Sequence, residues 1–393
     1  MSRNPIAYCL LPSPPGRGAR RAGWVLPIPY SLFPIPCSLF PIPYSLSPLK
    51  PMFPYLITIR PLGLLYASAG GFLSPENLVG RAQAKFPPDA YTLSGLIFSA
   101  NKSQNFASQE DLSQNLFVAG PFWAKLDEFE ASQEFYVPIP STKMIGNDDV
   151  NTWELHDDGW RQSNPDSEMT PAFKWQKLSA WNQDSDTLLH QKAVAKEPWK
   201  YLSMLHPRLK PDERCVREQD GLFLENAVQL DDNACLVYLS TVPLETGWYR
   251  FGGENHLVEI ESHPLQETHP LVSLLQQPIT RSFALLTPAV WGSNRISYRY
   301  PQHPDFPQPR WLLMAKAIPF RFRAGGRQKA DGSRDTGRLG RGRYAVKPGS
   351  VYVLDDSLNQ TWWESPEAWY PKEGYSLKQV GCGLCLPLDI AGL

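Results

Sequence analysis

An arginine- and glycine-rich segment at residues 321–347 holds the side chains of this 393-residue sequence that are best suited to binding chemistry. Six glycines are interleaved with its basic residues, and two aspartates leave a net charge of +7. Guanidinium groups bind phosphate oxygens through paired hydrogen bonds, and glycine lets a backbone approach a ligand closely. We therefore predict nucleic-acid contacts from this segment, with a solvated loop as the alternative. Its nine basic residues are Arg321, Arg323, Arg327, Lys329, Arg334, Arg338, Arg341, Arg343 and Lys347.

The charge of the chain is distributed unevenly. Residues 1–51 contain five basic residues and no acidic one. Outside these two segments the chain has 24 basic and 37 acidic residues. An acidic body with one basic face suits a protein that holds a polyanion on one side and packs against protein elsewhere. The length predicts two domains.

The other candidate catalytic or metal-binding residues are scattered along the chain. Cys382 and Cys385 form a CxxC motif, but a structural zinc site usually requires a second pair, which the sequence lacks. We predict two buried thiols, and neither a metal nor another cofactor. His206 and His256 are candidate general bases for RNA cleavage. The alternative for each histidine is a surface or turn position.

A second glycine-rich loop lies near the end of the chain, at Gly381 and Gly383. It has neither the Walker spacing nor the Gly-Lys-Ser/Thr ending of an NTPase. We predict that these glycines approach a polyanion backbone. Lys102, after the first predicted helix, is a further candidate contact.

A proline-rich repeat occupies residues 27–47, where a heptad beginning Pro-Ile-Pro occurs three times. Proline at this spacing prevents a helix and removes hydrogen-bond donors from a strand. We predict that residues 1–51 are disordered and result from a start codon assigned too early, before Met52. A polyproline II ligand for a partner is the alternative.

Alternating apolar residues predict the strands that must position the candidate groups. We predict that a helix starts near Thr92. We also predict a tight turn at residues 250–255. Residues 141–212 are polar and Trp-rich, and we predict an insertion with short helices. Strands mixed with few helices indicate an α+β fold, with the basic segment between two strands. The predicted strands are 55–62, 115–123, 134–140, 221–224, 234–240, 256–260, 282–287, 311–318, 349–354 and 377–388.

An ordered series of short motifs resembles a known protein family. The motifs are Arg60-Pro61-Leu62-Gly63, Phe86-Pro87-Pro88, Ala119-Gly120-Pro121-Phe122, Phe135-Tyr136-Val137-Pro138-Ile139-Pro140, Phe251-Gly252-Gly253-Glu254, Leu286-Thr287-Pro288-Ala289 and Val346-Lys347-Pro348-Gly349-Ser350-Val351-Tyr352, with a closing Gly-x-Gly. In this order they resemble the third subunit of the Cmr effector complex of type III-B CRISPR systems, in the RAMP superfamily, over residues 53–393. The chain departs from the family pattern at residues 252–256, where Gly-Gly-Glu-Gly-Arg is common, and at Cys382, where an aromatic residue is usual.

The resemblance implies two tandem ferredoxin-like (RRM-related) domains. We place the first at 52–275, with the insertion at about 141–212, and the second at 276–393. The resemblance also implies a subunit without catalytic activity that holds the 5′ tag of the CRISPR RNA. Its implied partners are the large polymerase/cyclase-like Cmr subunit and a backbone RAMP subunit, so we expect a hetero-oligomer.

Two other functions compete with this interpretation. The first is a RAMP endoribonuclease that matures CRISPR RNA, for which His256 with Arg250 is the only pair close in sequence. The second is a Trp-rich module that binds carbohydrate or protein, which gives the basic segment no role.

The cysteine spacing shows no disulfide framework and no secretory signal is present, so we expect a cytoplasmic protein. We expect no membrane span, because no run of about 18 apolar residues exists.

Overall fold

The structure is a computed structural model that describes residues 52–66, 85–167, 169–210, 212–217, 221–252, 255–292, 295–321, 340–391 and 393. Residues 50–393 form one compact unit. The predictions for residues 1–51 lie outside the described residues. So do those for the basic segment between residues 322 and 339.

Antiparallel strands with five α-helices make up the described part of the chain. The elements are β1 (Tyr55–Pro61), β2 (Leu65–Tyr66), α1 (Ala90–Gln104), α2 (Gln109–Asn115), β3 (Val118–Lys125), α3 (Leu126–Ser132), β4 (Tyr136–Pro138), β5 (Lys143–Ile145), β6 (Val150–His156), β7 (Gly159–Gln162), β8 (Trp175–Lys177), α4 (Ser185–His190), β9 (Val194–Ala195), β10 (Trp199–Pro207), β11 (Leu222–Leu230), β12 (Ala234–Ser240), β13 (Gly247–Phe251), β14 (His256–Pro264), α5 (Pro270–Gln276), β15 (Ser282–Leu285), β16 (Trp291–Gly292), β17 (Ser297–Tyr298), β18 (Pro309–Leu313), β19 (Ile318–Phe320), β20 (Arg343–Ala345), β21 (Val351–Leu354) and β22 (Cys385–Pro387). Short 3₁₀ helices lie at Leu178–Ala180, Glu367–Trp369 and Leu377–Val380.

The larger sheet has eight strands in the order β13-β14-β1-β12-β3-β4-β8-β9. Every residue of β12 is buried, which explains its continuous apolar run, since a strand covered on both faces needs no polar alternation. Helix α1 packs on this sheet through Leu93, Leu96 and Ile97, three buried residues on one helical face. The helix ends where Asn105 takes a left-handed conformation at φ 52°.

The second-largest of the six sheets in the described ranges has four strands in the order β18-β21-β15-β22. Phe283 and Tyr352 stack at its centre with ring centroids 4.6 Å apart. Contacts from the other half of the chain reach this sheet and its surroundings. Trp181 donates from Nε1 to the Pro387 carbonyl at 2.8 Å, and the Phe53 ring stacks on Trp362. The two sheets therefore share one continuous apolar core.

The predicted α+β class is confirmed, and each predicted strand overlaps a strand of the structure. Two predictions differ from the structure in detail. The range 141–212 contains short helices, α4 and the 3₁₀ helix at Leu178–Ala180, but also six strands, β5 to β10, that the sequence analysis did not predict. The last predicted strand, 377–388, begins as a 3₁₀ helix and turn before β22, because Gly381 takes a positive φ.

The domain division at residue 275 stays a prediction. Each of the two sheets lies within one of the predicted domains. In the first, β1, α1, β3 and β12 follow the start of a ferredoxin-like β-α-β-β-α-β unit. Between β12 and β14, however, the chain forms strand β13, and the next helix, α5, comes after β14.

The longest helix in the described ranges, α1, has 15 residues. No helix within those ranges is long and apolar enough to cross a membrane.

Candidate nucleic-acid interface

Strands β19 and β20, which lie at the two ends of the basic segment, pair as an antiparallel β-hairpin. Phe320 pairs with Arg343, and Ile318 pairs with Ala345. Beyond these pairs, Arg321 donates from Nε to the Gly340 carbonyl at 2.9 Å, so the two ends of the segment are joined. Tyr91, near the start of α1, donates its hydroxyl to the Arg321 carbonyl at 3.0 Å. The hairpin is therefore attached to the core at its base.

Strand alternation decides which side chains of this hairpin reach the surface. Successive residues of a strand point to opposite faces. Phe320, Arg343 and Ala345 are buried, whereas Tyr344 between them is 57% exposed. Arg343 Nη2 donates to Glu373 Oε1 at 2.5 Å within the protein. For Arg343 this geometry favours a structural ion pair over the predicted RNA contact.

The other described basic residues of the segment lie at or near the surface. Arg341 and Lys347 are exposed, and Arg321 is half-buried at the base of the hairpin. These RNA contacts stay predictions. The predicted contacts Arg323, Arg327, Lys329, Arg334 and Arg338 lie outside the described residues.

The flanking aromatic residues divide between core and surface. Phe320 is buried against the edge of Tyr91, and the Lys85 ammonium lies 5.5 Å from its ring centre. Tyr344 is therefore the flanking aromatic that is placed to contact a ligand.

Lys102 lies at the other end of α1 from the residue that contacts the hairpin. It is exposed in the last turn of α1, whereas Tyr91, which bonds to Arg321, lies in the first turn. Eleven residues of helix separate the two positions, or about 16 Å along the axis at about 1.5 Å per residue. Lys102 is therefore at the opposite end of α1 from the residue that contacts the described start of the basic segment, and its RNA contact stays a prediction.

The closing loop, residues 377–385, is packed into the core. Gly381 and Gly383 are both buried, with φ of 73° and 66°. A Cβ at Gly381 would lie 2.6 Å from the Ala119 Cα atom, and one at Gly383 would lie 2.7 Å from the Trp291 ring. These glycines permit close approach to the protein's own chain, which gives them a packing role; their contact with RNA stays a prediction.

The two cysteines of the closing loop are buried thiols. Burial raises the pKa of Cys382 to about 12 and also raises the pKa of Cys385. Cys382 Sγ accepts a hydrogen bond from the Val290 N–H at 3.1 Å. The prediction of buried thiols is therefore confirmed. The described residues contain no cluster of three or more His, Cys, Asp or Glu side chains that could hold a metal ion.

The histidine and arginine proposed for cleavage do not face each other. In the β13–β14 hairpin, His256 pairs with Phe251 and Arg250 pairs with Leu257. Residues paired across strands share a face and neighbours along a strand alternate, so Arg250 and His256 point to opposite faces. His206 lies on β10, opposite Phe223 of β11.

The tryptophan content has a structural explanation. Most tryptophans of the described part help to form the core, and Trp248 is the one with a largely exposed side chain, at 70%. The buried ones are Trp123, Trp175, Trp181, Trp291, Trp362 and Trp369.

Sequence reasoning missed a second basic strand beside the hairpin. The Tyr344 N–H donates to Ser297 Oγ at 3.2 Å, which places β17 next to β20. Residues 295–299 read Arg-Ile-Ser-Tyr-Arg, and all five are exposed. The available signal was the absence of any Asp or Glu between residues 288 and 304.

Comparison with known families identifies the class of protein. The family model described as CRISPR-associated protein (Cas_Cmr3) matches residues 72–388. Because this match covers more than half of the chain, the protein belongs to that family. The resemblance to a type III-B Cmr subunit is thus confirmed, and the chain is a subunit of a type III effector.

Several solved structures are similar to this chain. A chain in the cryo-EM structure of type III-B Cmr-beta bound to cognate target RNA is 14% identical, with a TM-score of 0.41; the match covers 76% of this chain and 86% of that chain. A chain of the Csm3–Csm4 subcomplex of the type III-A interference complex is 11% identical, with a TM-score of 0.38 and coverage of 85% and 99%. A chain of the Csm1–Csm4 cassette in complex with pppApA is 11% identical, with a TM-score of 0.33 and coverage of 77% and 88%. No curated protein matches the chain.

Proposed function

We propose that this protein is a non-catalytic RNA-binding subunit of a type III-B Cmr effector complex. It holds the 5′ tag of the CRISPR RNA and docks the large polymerase/cyclase-like subunit and a backbone RAMP subunit, within two tandem ferredoxin-like domains. Family membership supports the assembly role. The RNA-binding role rests on a separate observation about charge.

That observation is an excess of basic residues in the part of the chain that includes β17, β19 and β20. Residues 288–354 contain thirteen Lys and Arg residues and three aspartates. The described ends of the basic segment meet at the Arg321–Gly340 hydrogen bond, and Arg341 and Lys347 are exposed beside it. A concentration of positive charge at one site on a chain of net charge −1 suits a single-stranded polyanion.

The decisive experiment measures guide-RNA affinity across a salt series. The test variant replaces Arg327, Arg334, Arg338 and Arg341 with Gln, and it leaves the buried Arg343 intact. Each lost phosphate contact on a single strand lowers the slope of log affinity against log salt by about 0.7, so four contacts lower it by roughly three units. We expect a weaker affinity and a slope that is flatter by this amount.

A matched control removes the same charge elsewhere. Replacing the exposed Lys174, Lys192, Lys196 and Lys200 with Gln changes the net charge by the same four units on another part of the surface. We expect this control to retain the wild-type slope. Equal slopes for the wild type and the arginine variant would contradict the RNA-binding role of the segment.

The opposite orientation of Arg250 and His256 supports a subunit that does not cut RNA. Cleavage needs a general base close to the scissile group, and a cation to stabilise the charge that develops there. We expect the purified chain to leave labelled repeat RNA intact. Specific cleavage that His256→Ala abolishes would favour the endoribonuclease instead.

A further inference from the structure

We propose that Tyr298 and Tyr344 form a platform on which bases of single-stranded RNA stack, next to the phosphate-binding basic segment. This inference rests on the proposed function and assigns a second, non-electrostatic part to its binding site. Aromatic side chains on a basic surface are the usual way in which proteins hold unpaired bases.

The two tyrosines lie on neighbouring strands of the same basic part of the chain. Tyr344 is 57% exposed and Tyr298 is 36% exposed. The hydrogen bond from the Tyr344 N–H to Ser297 Oγ, 3.2 Å long, joins β20 to the residue before Tyr298. Their positions along the chain, 46 residues apart, gave no indication of this proximity.

The Tyr298 ring is held in place by a glycine on the paired strand. Gly292 has a φ of 93°, and a Cβ there would lie 2.3 Å from Tyr298 Cδ2. The ring therefore packs against the backbone at Gly292, and a ring restricted by packing loses less entropy when a base binds than a fully solvated ring does. Trp291, next to Gly292, is buried and donates from Nε1 to the Tyr352 hydroxyl at 3.4 Å, which anchors this strand to the core.

The charges around the two rings match a nucleic acid better than a protein surface. Arg295 and Arg299 flank Tyr298 within one exposed strand region, and Arg341 precedes β20. Neither residues 295–299 nor residues 340–347 contain an Asp or Glu; the nearest carboxylates in sequence are Asp305 after the first stretch and Asp335 before the second. A protein-docking patch typically mixes charges at its rim, whereas phosphates require an excess of cations.

The test separates base stacking from phosphate binding by changing both partners. The protein variant is Tyr298→Ala with Tyr344→Ala, and the RNA variant is an abasic ribose-phosphate strand of the same length as the guide RNA. Stacking contributes about tenfold in affinity for a base. We expect the wild type to prefer the RNA with bases by at least about tenfold, and the double variant to lose this preference while keeping the wild-type salt slope.

Two further variants control for folding and for tyrosine loss in general. Tyr298→Phe with Tyr344→Phe keeps both rings, so we expect wild-type affinity. Tyr201→Ala removes a tyrosine that is 52% exposed on β10, and we expect no change in affinity. If the double alanine variant does not fold, Tyr344→Ala alone, at the more exposed position, carries the test.

The outcomes for platform and function are distinguishable. A flatter salt slope for the arginine variant, with no loss of base preference for the tyrosine variant, would overturn the platform and leave the RNA-binding function intact. Normal RNA affinity with failed assembly of the tyrosine variant would also overturn it and assign these residues to a protein contact. No effect from either set of substitutions would overturn the RNA-binding function itself.

Discussion

The closing loop and the β19–β20 hairpin look alike in sequence and differ in the structure. Both are rich in glycine, and both combine it with groups suited to binding a phosphate backbone. The loop's Gly381 and Gly383 are buried against other parts of the chain, whereas the hairpin exposes Tyr344 and leads into the basic segment. Glycine allows close approach to any neighbour, so its presence alone does not tell whether that neighbour is a ligand or the protein itself.

The same contrast occurs within the hairpin, between Arg343 and Arg341. The two arginines are two residues apart, yet Arg343 is buried against Glu373 and Arg341 is exposed. A buried guanidinium needs a partner, because an isolated charge in the core is costly. Three substitutions test how far this division between structural and exposed groups extends.

The largest expected effect comes from breaking the buried ion pair. Glu373→Gln removes the carboxylate that Arg343 contacts, and we expect the free energy of unfolding to fall by about 3 kcal/mol. Urea denaturation of the full chain measures this change. The control is Glu367→Gln, which breaks an exposed pair with Lys372 at 2.9 Å and should cost less than about 1 kcal/mol. Equal losses in the two variants would mean that Arg343 does not depend on this pair.

An intermediate effect is expected in the closing loop. Gly381→Ala places a Cβ against Ala119 and also forces a left-handed residue, whereas Gly374→Ala, at φ 89°, has no atom within 4 Å of the new Cβ. We expect Gly374→Ala to cost about 1 kcal/mol from the backbone alone, and Gly381→Ala to cost about 1–3 kcal/mol more from the steric clash.

Thermal unfolding of both glycine variants, together with their RNA salt slopes, checks this expectation. A packing role predicts lower stability for Gly381→Ala and an unchanged salt slope. A stable Gly381→Ala variant with weakened RNA binding would instead support the predicted RNA contact at this loop.

The smallest effect concerns pH. Lys378, also in the closing loop, is buried; its Nζ donates to the Trp363 and Ser365 carbonyls at 2.6 Å. Burial lowers its pKa to about 8 from 10.5. The folded protein therefore releases this proton at lower pH than the unfolded chain does. Stability should rise as pH increases from 8 towards 10.5, at no more than about 1.4 kcal/mol per pH unit for one group.

Urea denaturation at several pH values checks this linkage. Lys378→Met should flatten the rise, and Lys372→Met, at an exposed lysine, should leave it unchanged. The free energy of unfolding of Lys378→Met should still rise somewhat with pH, because burial also lowers the pKa of Lys143 to about 8. A slope that is identical in the wild type and in Lys378→Met would contradict the lowered pKa of Lys378.

Local pattern was sufficient to predict most of the fold and the family. Alternation and continuous apolar runs predict strands such as β1 and β12 because these strands bury one or both faces. The ordered motifs identified the family that the model match confirms. The strands of the insertion at 141–212 were harder to predict. Short strands such as β5 and β8, each of three residues, show too little alternation to be recognised.

The sequence by itself determined the α+β class, the family, and the concentration of positive charge between β19 and β20. The tertiary structure alone decided which of these groups faces solvent. One step along a strand turns a side chain from the surface to the core, so Arg343 and Tyr344 differ although they are adjacent. Contacts between segments that are distant in sequence decided the rest. They place Tyr298 beside the hairpin, whereas Lys102 lies at the other end of α1 from Tyr91, the residue that contacts Arg321. No local sequence pattern encodes such contacts.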